Sequence, residues 1–270
     1  ALSAEAGAAD QLASIPRLPP AHIGRPRLVQ SLLAADCRLR LICAPAGFGK
    51  TVLMSECARL VPEGTHMVWL DLGGRACSVG DLYSQLSGAL GQQDELVGSA
   101  DTTILTLLRR LRQPLWIMLD DYPRDCDAEL DACLDMLLDI GPTSVSWWVS
   151  SRRQPAWKLP RLLLQGHLCE LDAEALAFTE DELERMLAAQ RMALSPESFQ
   201  QLHRGMEGWP AGVCLMLLGA DEQALRERLV AGTPLLRDYV QREVLAGLGD
   251  EVRRALLALA RMPRFSAELC

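Results

Sequence analysis

Apolar residues follow two rhythms along this 270-residue chain. In the first part, compact apolar runs at 39–43, 65–71, 115–119, 144–149 and 168–171 are each closed by small, turn-forming or acidic residues. Runs of that length with turn residues at their ends read as strands buried on both faces. Segments between them carry apolar residues three and four apart, which predicts helices over 26–35, 51–60, 81–90 and 102–111. Strand alternating with helix implies a parallel sheet flanked by helices on both faces. Beyond Asp172 the spacing is helical throughout, so the predicted fold class is α/β followed by an all-α region.

Punctuation sets the boundaries. Residues 1–14 are rich in alanine and small polar residues and read as a loose arm. Pro16, Pro19 and Pro20 make an extended entry into a first helix that has Pro26 in its opening turn. Thr179 and Glu182 have the spacing of a capping box and start a helix to about Ala189. Ser195 and Pro196 supply the cap and first turn of the next helix, which Gly208-Trp209-Pro210-Ala211-Gly212 breaks. Further helices are expected over 213–218, 221–231, 234–248 and 250–261, and the last residues lack a terminating cap, as in a domain cut short. No repeat of fixed period is present.

Composition narrows the class. A formal net charge of −8 makes this segment a poor electrostatic match for nucleic acid, so a DNA reader is expected elsewhere. Nine cysteines, an odd number without a Cys-x-x-Cys pair, argue against a disulfide framework or a zinc site. They read as small core residues of a reducing cytoplasm. The longest apolar runs fall short of a bilayer span and no basic-then-apolar leader opens the chain, so a cytoplasmic location without membrane contact is expected.

The chemistry concentrates after the first strand. Residues 44–51, Ala-Pro-Ala-Gly-Phe-Gly-Lys-Thr, fit the phosphate-binding pattern G-x-x-x-x-G-K-[ST] at every fixed position except the first, where Ala44 stands. Gly47 and Gly49 can take positive φ, which turns successive N–H groups into one concavity suited to a β-phosphate. The following helix adds its positive dipole end. Lys50 would reach the β- and γ-phosphates and the Thr51 hydroxyl would ligate Mg²⁺. ATP or ADP with Mg²⁺ is therefore the expected cofactor, held by Ala46, Gly47, Phe48, Gly49, Lys50, Thr51 and Val52.

The strand at 115–119 runs into Asp120 and Asp121, carrying two carboxylates to the sheet edge where ligands bind in such folds. Asp120 is the second expected metal residue, and Asp121 would orient or deprotonate the attacking water. The strand at 144–149 ends in Ser150-Ser151-Arg152-Arg153; in P-loop ATPases with a strand inserted between the phosphate-loop and acidic strands, that strand's end faces the γ-phosphate, which makes Arg152 the candidate sensor, with two solvated loop arginines as the alternative. The turn His22-Ile23-Gly24-Arg25 is placed to wall the adenine, with Ile23 on the base and His22 or Arg25 near it. A helix cap with a solvated arginine is the alternative there. Pro210 opens a helix tightly enough to press on a nucleotide, or else marks a helix-helix turn with a buried tryptophan.

Taken in order, these motifs, with Leu176-Ala177-Phe178-Thr179 and the run 239–245, resemble the N-terminal part of MalT-type regulators. These are large ATP-binding members of the LuxR class of bacterial transcription activators and belong to the STAND ATPases. The resemblance implies a P-loop nucleotide domain at 15–173, a helical domain at 174–235 and the start of a winged-helix domain at 236–270. A sensor domain that takes an inducer and a C-terminal helix-turn-helix that takes DNA would follow. It implies that ATP and inducer favour a self-associating, DNA-binding form, that ADP favours a closed monomer, and that slow hydrolysis resets the switch. By position, Ile23-Gly24-Arg25 matches the adenine-side motif, Lys50 and Thr51 the phosphate and metal residues, and Asp120 and Asp121 the acidic pair. Arg152 matches the γ-phosphate sensor and Pro210 the nucleotide-contacting proline. Ala44 for glycine and Pro26 where many relatives have glutamate are the departures.

Two other classes compete. A small-molecule kinase or remodelling ATPase would need an acceptor pocket or a trans-acting arginine, and a protein-binding scaffold would carry a dead site. The expected function is a nucleotide-dependent switch with slow ATP hydrolysis.

Overall fold

The computed structural model describes residues 14–91, 100–124, 127–245 and 248–259. All but Ser14 of the expected arm, and the uncapped last residues, lie outside that set. The chain divides into two compact units, Ala1–Arg191 and Met192–Cys270.

The first unit is built on strands β1 (Leu39–Cys43), β2 (His66–Asp71), β3 (Leu115–Tyr122), β4 (Val145–Ser151) and β5 (Leu168–Leu171). All pairings are parallel and the spatial order is β2-β3-β4-β1-β5. Helices α1 (Pro26–Ala34), α2 (Lys50–Ala58), α3 (Val79–Ala89), α4 (Ala100–Arg110), α5 (Ala128–Ile140), α6 (Leu159–Leu164), α7 (Ala173–Leu176) and α8 (Glu180–Ala189) connect and follow them. This is the P-loop NTPase architecture expected from the strand-helix alternation together with the phosphate-loop motif.

Period-two alternation sorts each strand between two cores. Leu39, Leu41, Ile117, Leu119, Trp147 and Val149 enter one, packed with residues of α3 to α6. Ile42, Trp116, Met118 and Trp148 enter the other, packed with Leu28, Leu32, Leu53, Met54 and Cys57 from α1 and α2. Both faces are covered, which is why the strands read as nearly unbroken apolar runs. Two helices are additional to those expected from the sequence. In α5, Leu130, Cys133, Leu134, Leu137 and Leu138 are buried at helical spacing behind an Asp127 N-cap; α6 is a short turn opened by a proline.

The second unit holds α9 (Pro196–Met206), α10 (Pro210–Leu217), α11 (Glu222–Ala231), α12 (Pro234–Tyr239) and α13 (Asp250–Leu259). The helix expected over 234–248 is not uniform: it widens into a π-helical segment at Val240–Leu245. At the break before α10, Gly212 packs so closely on Trp209 that an added Cβ would come within 2.5 Å of the indole.

Glu222 ties α9 to α11. The Ser195 hydroxyl, the Ser198 hydroxyl at 2.8 Å and the Ser195 N–H at 3.1 Å all donate to it, and they lower its carboxyl pKa to about 2. A depressed folded pKa gives stability that is complete above the unfolded value near ~4.3 and fades as pH falls towards 2. Thermal melts of wild type and Glu222→Gln should therefore separate at pH 6 and converge through that window; an unchanged gap down to its lower end contradicts the assignment.

Candidate functional site

The loop after β1 is compact. Gly47 and Gly49 adopt φ of 82° and 76°, and Gly49 is the left-handed N-cap of α2. Ala44 is 2% exposed, and its N–H donates to the Ser151 carbonyl at 3.1 Å. It is absent from the positive-φ residues, so glycine's freedom is not required at the first position of the pattern. Ala46 is buried, while Phe48, Thr51 and Val52 are half-buried around the loop and first turn.

Lys50 is 8% exposed and donates to the Pro45 carbonyl at 2.9 Å. Burial, and then the neighbouring charge of Arg152, bring its pKa down to about 8. Across the loop the Thr51 hydroxyl donates to Asp120 Oδ1 at 3.0 Å. Asp120 is 4% exposed; burial raises its pKa, opposed by hydrogen bonds from Ser150 and Thr51.

A bulge arranges the two acids. Leu119 pairs with Val149 and Tyr122 with Ser151, so Asp120 and Asp121 together face Ser150. Asp121 takes φ of 50° at this irregularity. The fully buried Ser150 hydroxyl donates to Asp120 Oδ1 at 2.6 Å and accepts the Asp121 N–H at 2.8 Å. The Asp121 carboxylate turns instead to Arg152, whose Nε lies 3.1 Å from Oδ1. Gly74, after β2, closes the far side: its N–H donates to the Asp121 carbonyl at 2.6 Å, and a Cβ there would lie 3.0 Å from Asp121 Oδ2.

Lys50, Thr51, Asp120, Asp121 and Arg152 thus converge on the C-terminal edge of β1, β3 and β4. Sequence reasoning gives no role to Ser150 or Gly74. Ser150 is readable only as one of two serines at a strand end, and Gly74 as half of a Gly-Gly turn. The Thr51 hydroxyl and Asp120 carboxylate are hard oxygen donors, the set that suits Mg²⁺. A buried lysine at a helix start behind two positive-φ glycines suits a phosphate chain.

The other residues singled out in the sequence make different contacts. Ile23 is half-buried and Gly24 exposed, while the Arg25 guanidinium pairs with Glu182 at 3.0 Å. Burial acts upward on Glu182, yet hydrogen bonds from Arg27 and Arg25 hold its carboxyl below the usual range. Pro210 belongs to the second unit, buried in the first turn of α10.

No protein-family model matches the chain. Among curated proteins it is 28% identical over 258 residues to the serine/threonine-protein kinase PknK of Mycobacterium tuberculosis, covering 87% of this chain and 23% of that protein. It is 26% identical over 260 residues to the transcriptional regulator MalT of Cronobacter sakazakii, covering 87% of this chain and 28% of the relative. The chain therefore spans about a quarter of the length of these relatives. Among solved structures, a STAND protein with a tetratricopeptide repeat sensor from Pyrococcus horikoshii superposes with a TM-score of 0.56 at 16% identity, over 81% of this chain and 34% of that one. A Walker-type ATPase of Pyrococcus abyssi gives 0.52 at 12% identity, over 96% and 90%. The chain is thus similar in sequence to a part of MalT, and its fold is the one shared by the STAND protein and the Walker-type ATPase.

Proposed function

We propose that this chain is the ATP- and ADP-binding switch module of a bacterial transcription activator, with slow ATP hydrolysis serving regulation. The observation that carries the reading is the convergence of Lys50, Thr51, Asp120, Asp121 and Arg152 on one sheet edge. Lys50 and the loop amides from Ala46 to Val52 bind the phosphates, and the turn at Ile23, Gly24 and Arg25 walls the base. Thr51 and Asp120 hold Mg²⁺, which supplies charge neutralisation on the phosphate oxygens when bound. Asp121 orients the attacking water and Arg152 detects the terminal phosphate.

The Asp121–Arg152 pair gives the switch its logic. An arginine shared between a carboxylate and a phosphate ties water activation to the presence of the terminal phosphate, which slows turnover and couples it to ligand state. ATP then favours self-association of the whole protein and ADP a closed form, because each ligand shifts the balance only by its differential affinity. In this reading the domains run 15–173, 174–235 and 236–270, with inducer and DNA taken by segments outside this chain and no membrane partner.

A phosphotransferase reading gains no support from the kinase among the relatives, because the kinase catalytic-loop triplet His-Arg-Asp occurs nowhere in this chain. Identifying the nucleotide released on denaturation, then titrating ADP and ATP·Mg²⁺ by calorimetry, tests the proposal. The expected result is bound ADP and turnover far below the ~1–100 s⁻¹ of phosphotransferases. Absence of binding, or vigorous turnover without any inducer, sinks it.

A further inference from the structure

The turn at 22–25 is held at both ends by carboxylates that lie outside the phosphate loop. At one end His22 pairs with Glu56, and the Arg25 N–H reaches the other oxygen of Glu56 at 3.4 Å. Glu56 sits on α2, the helix that begins with Lys50 and Thr51. At the other end stands Glu182, only 1% exposed, on α8. Arg25 reaches it through Nη2 at 3.0 Å and Nε at 3.3 Å, and Arg27 through Nε at 2.9 Å and Nη2 at 3.1 Å. The Thr179 N–H adds a fifth donor at 3.2 Å.

The surroundings complete the clamp. Arg25 Nη2 also donates to the Ala177 carbonyl at 3.1 Å, and its guanidinium lies 5.1 Å from the Phe178 ring centre. Arg185, on the same helix as Glu182, donates to the Gly24 carbonyl at 2.8 Å. Arg25 is 6% exposed and sits among protein acceptors, while its neighbours Ile23 and Gly24 keep accessible surface. A Cβ built on Gly24 meets nothing within 4 Å, so that side of the turn is open. A buried carboxylate with two arginines costs desolvation, and as a mere staple it competes poorly with an apolar contact. Its geometric return is one fixed conformation for residues 22–25.

We propose that Glu182 is a positioning residue for the base end of the nucleotide site: it locks the turn through Arg25 and Arg27, leaving Ile23 and Gly24 to face a purine. This inference rests on the nucleotide reading above. Arg25 acts through the conformation of the turn. Loosening the turn lowers the fraction of molecules ready for the base, and apparent affinity falls by that fraction. Ligands that engage only the phosphate loop are indifferent to it.

The test is calorimetric binding of ADP and of inorganic pyrophosphate to wild type and Glu182→Gln. Glutamine keeps a capping-box acceptor for Thr179 and removes the charge that gathers the arginines. ADP affinity should fall about tenfold or more, the scale of a lost charge-assisted pair, with pyrophosphate within about twofold of wild type. Equal ADP affinity in a variant that melts cooperatively overturns the inference, and so does a parallel loss of both ligands. If Glu182→Gln shows no cooperative melt, Arg25→Lys and Arg27→Met decide the same question: selective loss of ADP supports the clamp, no loss or parallel loss overturns it. Wild type that binds neither ligand refutes the nucleotide reading instead.

Discussion

Lys50→Met is expected to abolish nucleotide binding and, in the same protein, to raise the melting temperature. The lysine is 8% exposed, and its main protein contact is the Pro45 carbonyl. Burial is the largest cause of its pKa of about 8, so the free protein holds a charge at pH 7 that its surroundings disfavour. Methionine fills similar space without that cost. The gain is about 2 kcal/mol, reduced by the donor that Pro45 loses, or about 5 °C for a unit of this size.

The sign follows from linkage. Between pH ~8 and ~10.4 the unfolded chain keeps a proton on Lys50 that the folded chain has released, so wild-type stability rises across that window. The advantage of the methionine variant is therefore full below pH 8 and fades above it. ADP affinity of wild type moves the other way, weakening as pH climbs past 8 and the ammonium is lost. Thermal melts at pH 7 and 10 with calorimetry at each pH decide the matter. A variant that is less stable at pH 7, or that binds ADP like wild type, contradicts the account.

The frame of the fold is legible in the sequence because its strands are buried on both faces and so announce themselves as apolar runs, Leu115 to Leu119 most clearly. Caps are legible for the same local reason: Thr179 with Glu182 and Ser195 with Ser198 satisfy helix ends within one turn of sequence. Helix α5 is legible in principle, because its buried leucines recur three and four apart while its four acidic residues fall off that face. What escapes depends on distance or on strand register. In a regular strand Asp120 and Asp121 would point to opposite faces. Only the bulge and the φ of 50° let Ser150 hold the first by its side chain and the second by its N–H. Glu182, the carboxylate that Arg25 and Arg27 share, lies more than 150 residues downstream of both, beyond any local spacing rule.

Arg40 is the residue whose loss should cost the fold most. It stands in β1, within the apolar core on the α1 side, and is 6% exposed. Its Nε donates to the Leu32 carbonyl at 2.7 Å, Nη1 to Cys37 at 3.1 Å, and Nη2 to Ala35, so one guanidinium serves the carbonyls at the end of α1 and the turn beyond it. The same plane lies 4.6 Å from the Trp148 ring centre, which adds a cation–π contact in a dry setting. Arg40→Met keeps the volume and removes every donor. With the buried Leu32 carbonyl and two partly buried ones left without this donor, the loss is about 3–5 kcal/mol, or roughly 10 °C in melting temperature. Arg40→Lys restores a charge without the fork and should recover about half. Nucleotide affinity of the molecules that remain folded should stay within about twofold of wild type, because Arg40 touches neither the phosphate loop nor the acids. Lys50→Met thus lowers binding while raising stability, whereas Arg40→Met lowers stability and leaves binding in place. A drop in ADP affinity with an unchanged melt in Arg40→Met would show that the strand arginine serves the site and not the frame.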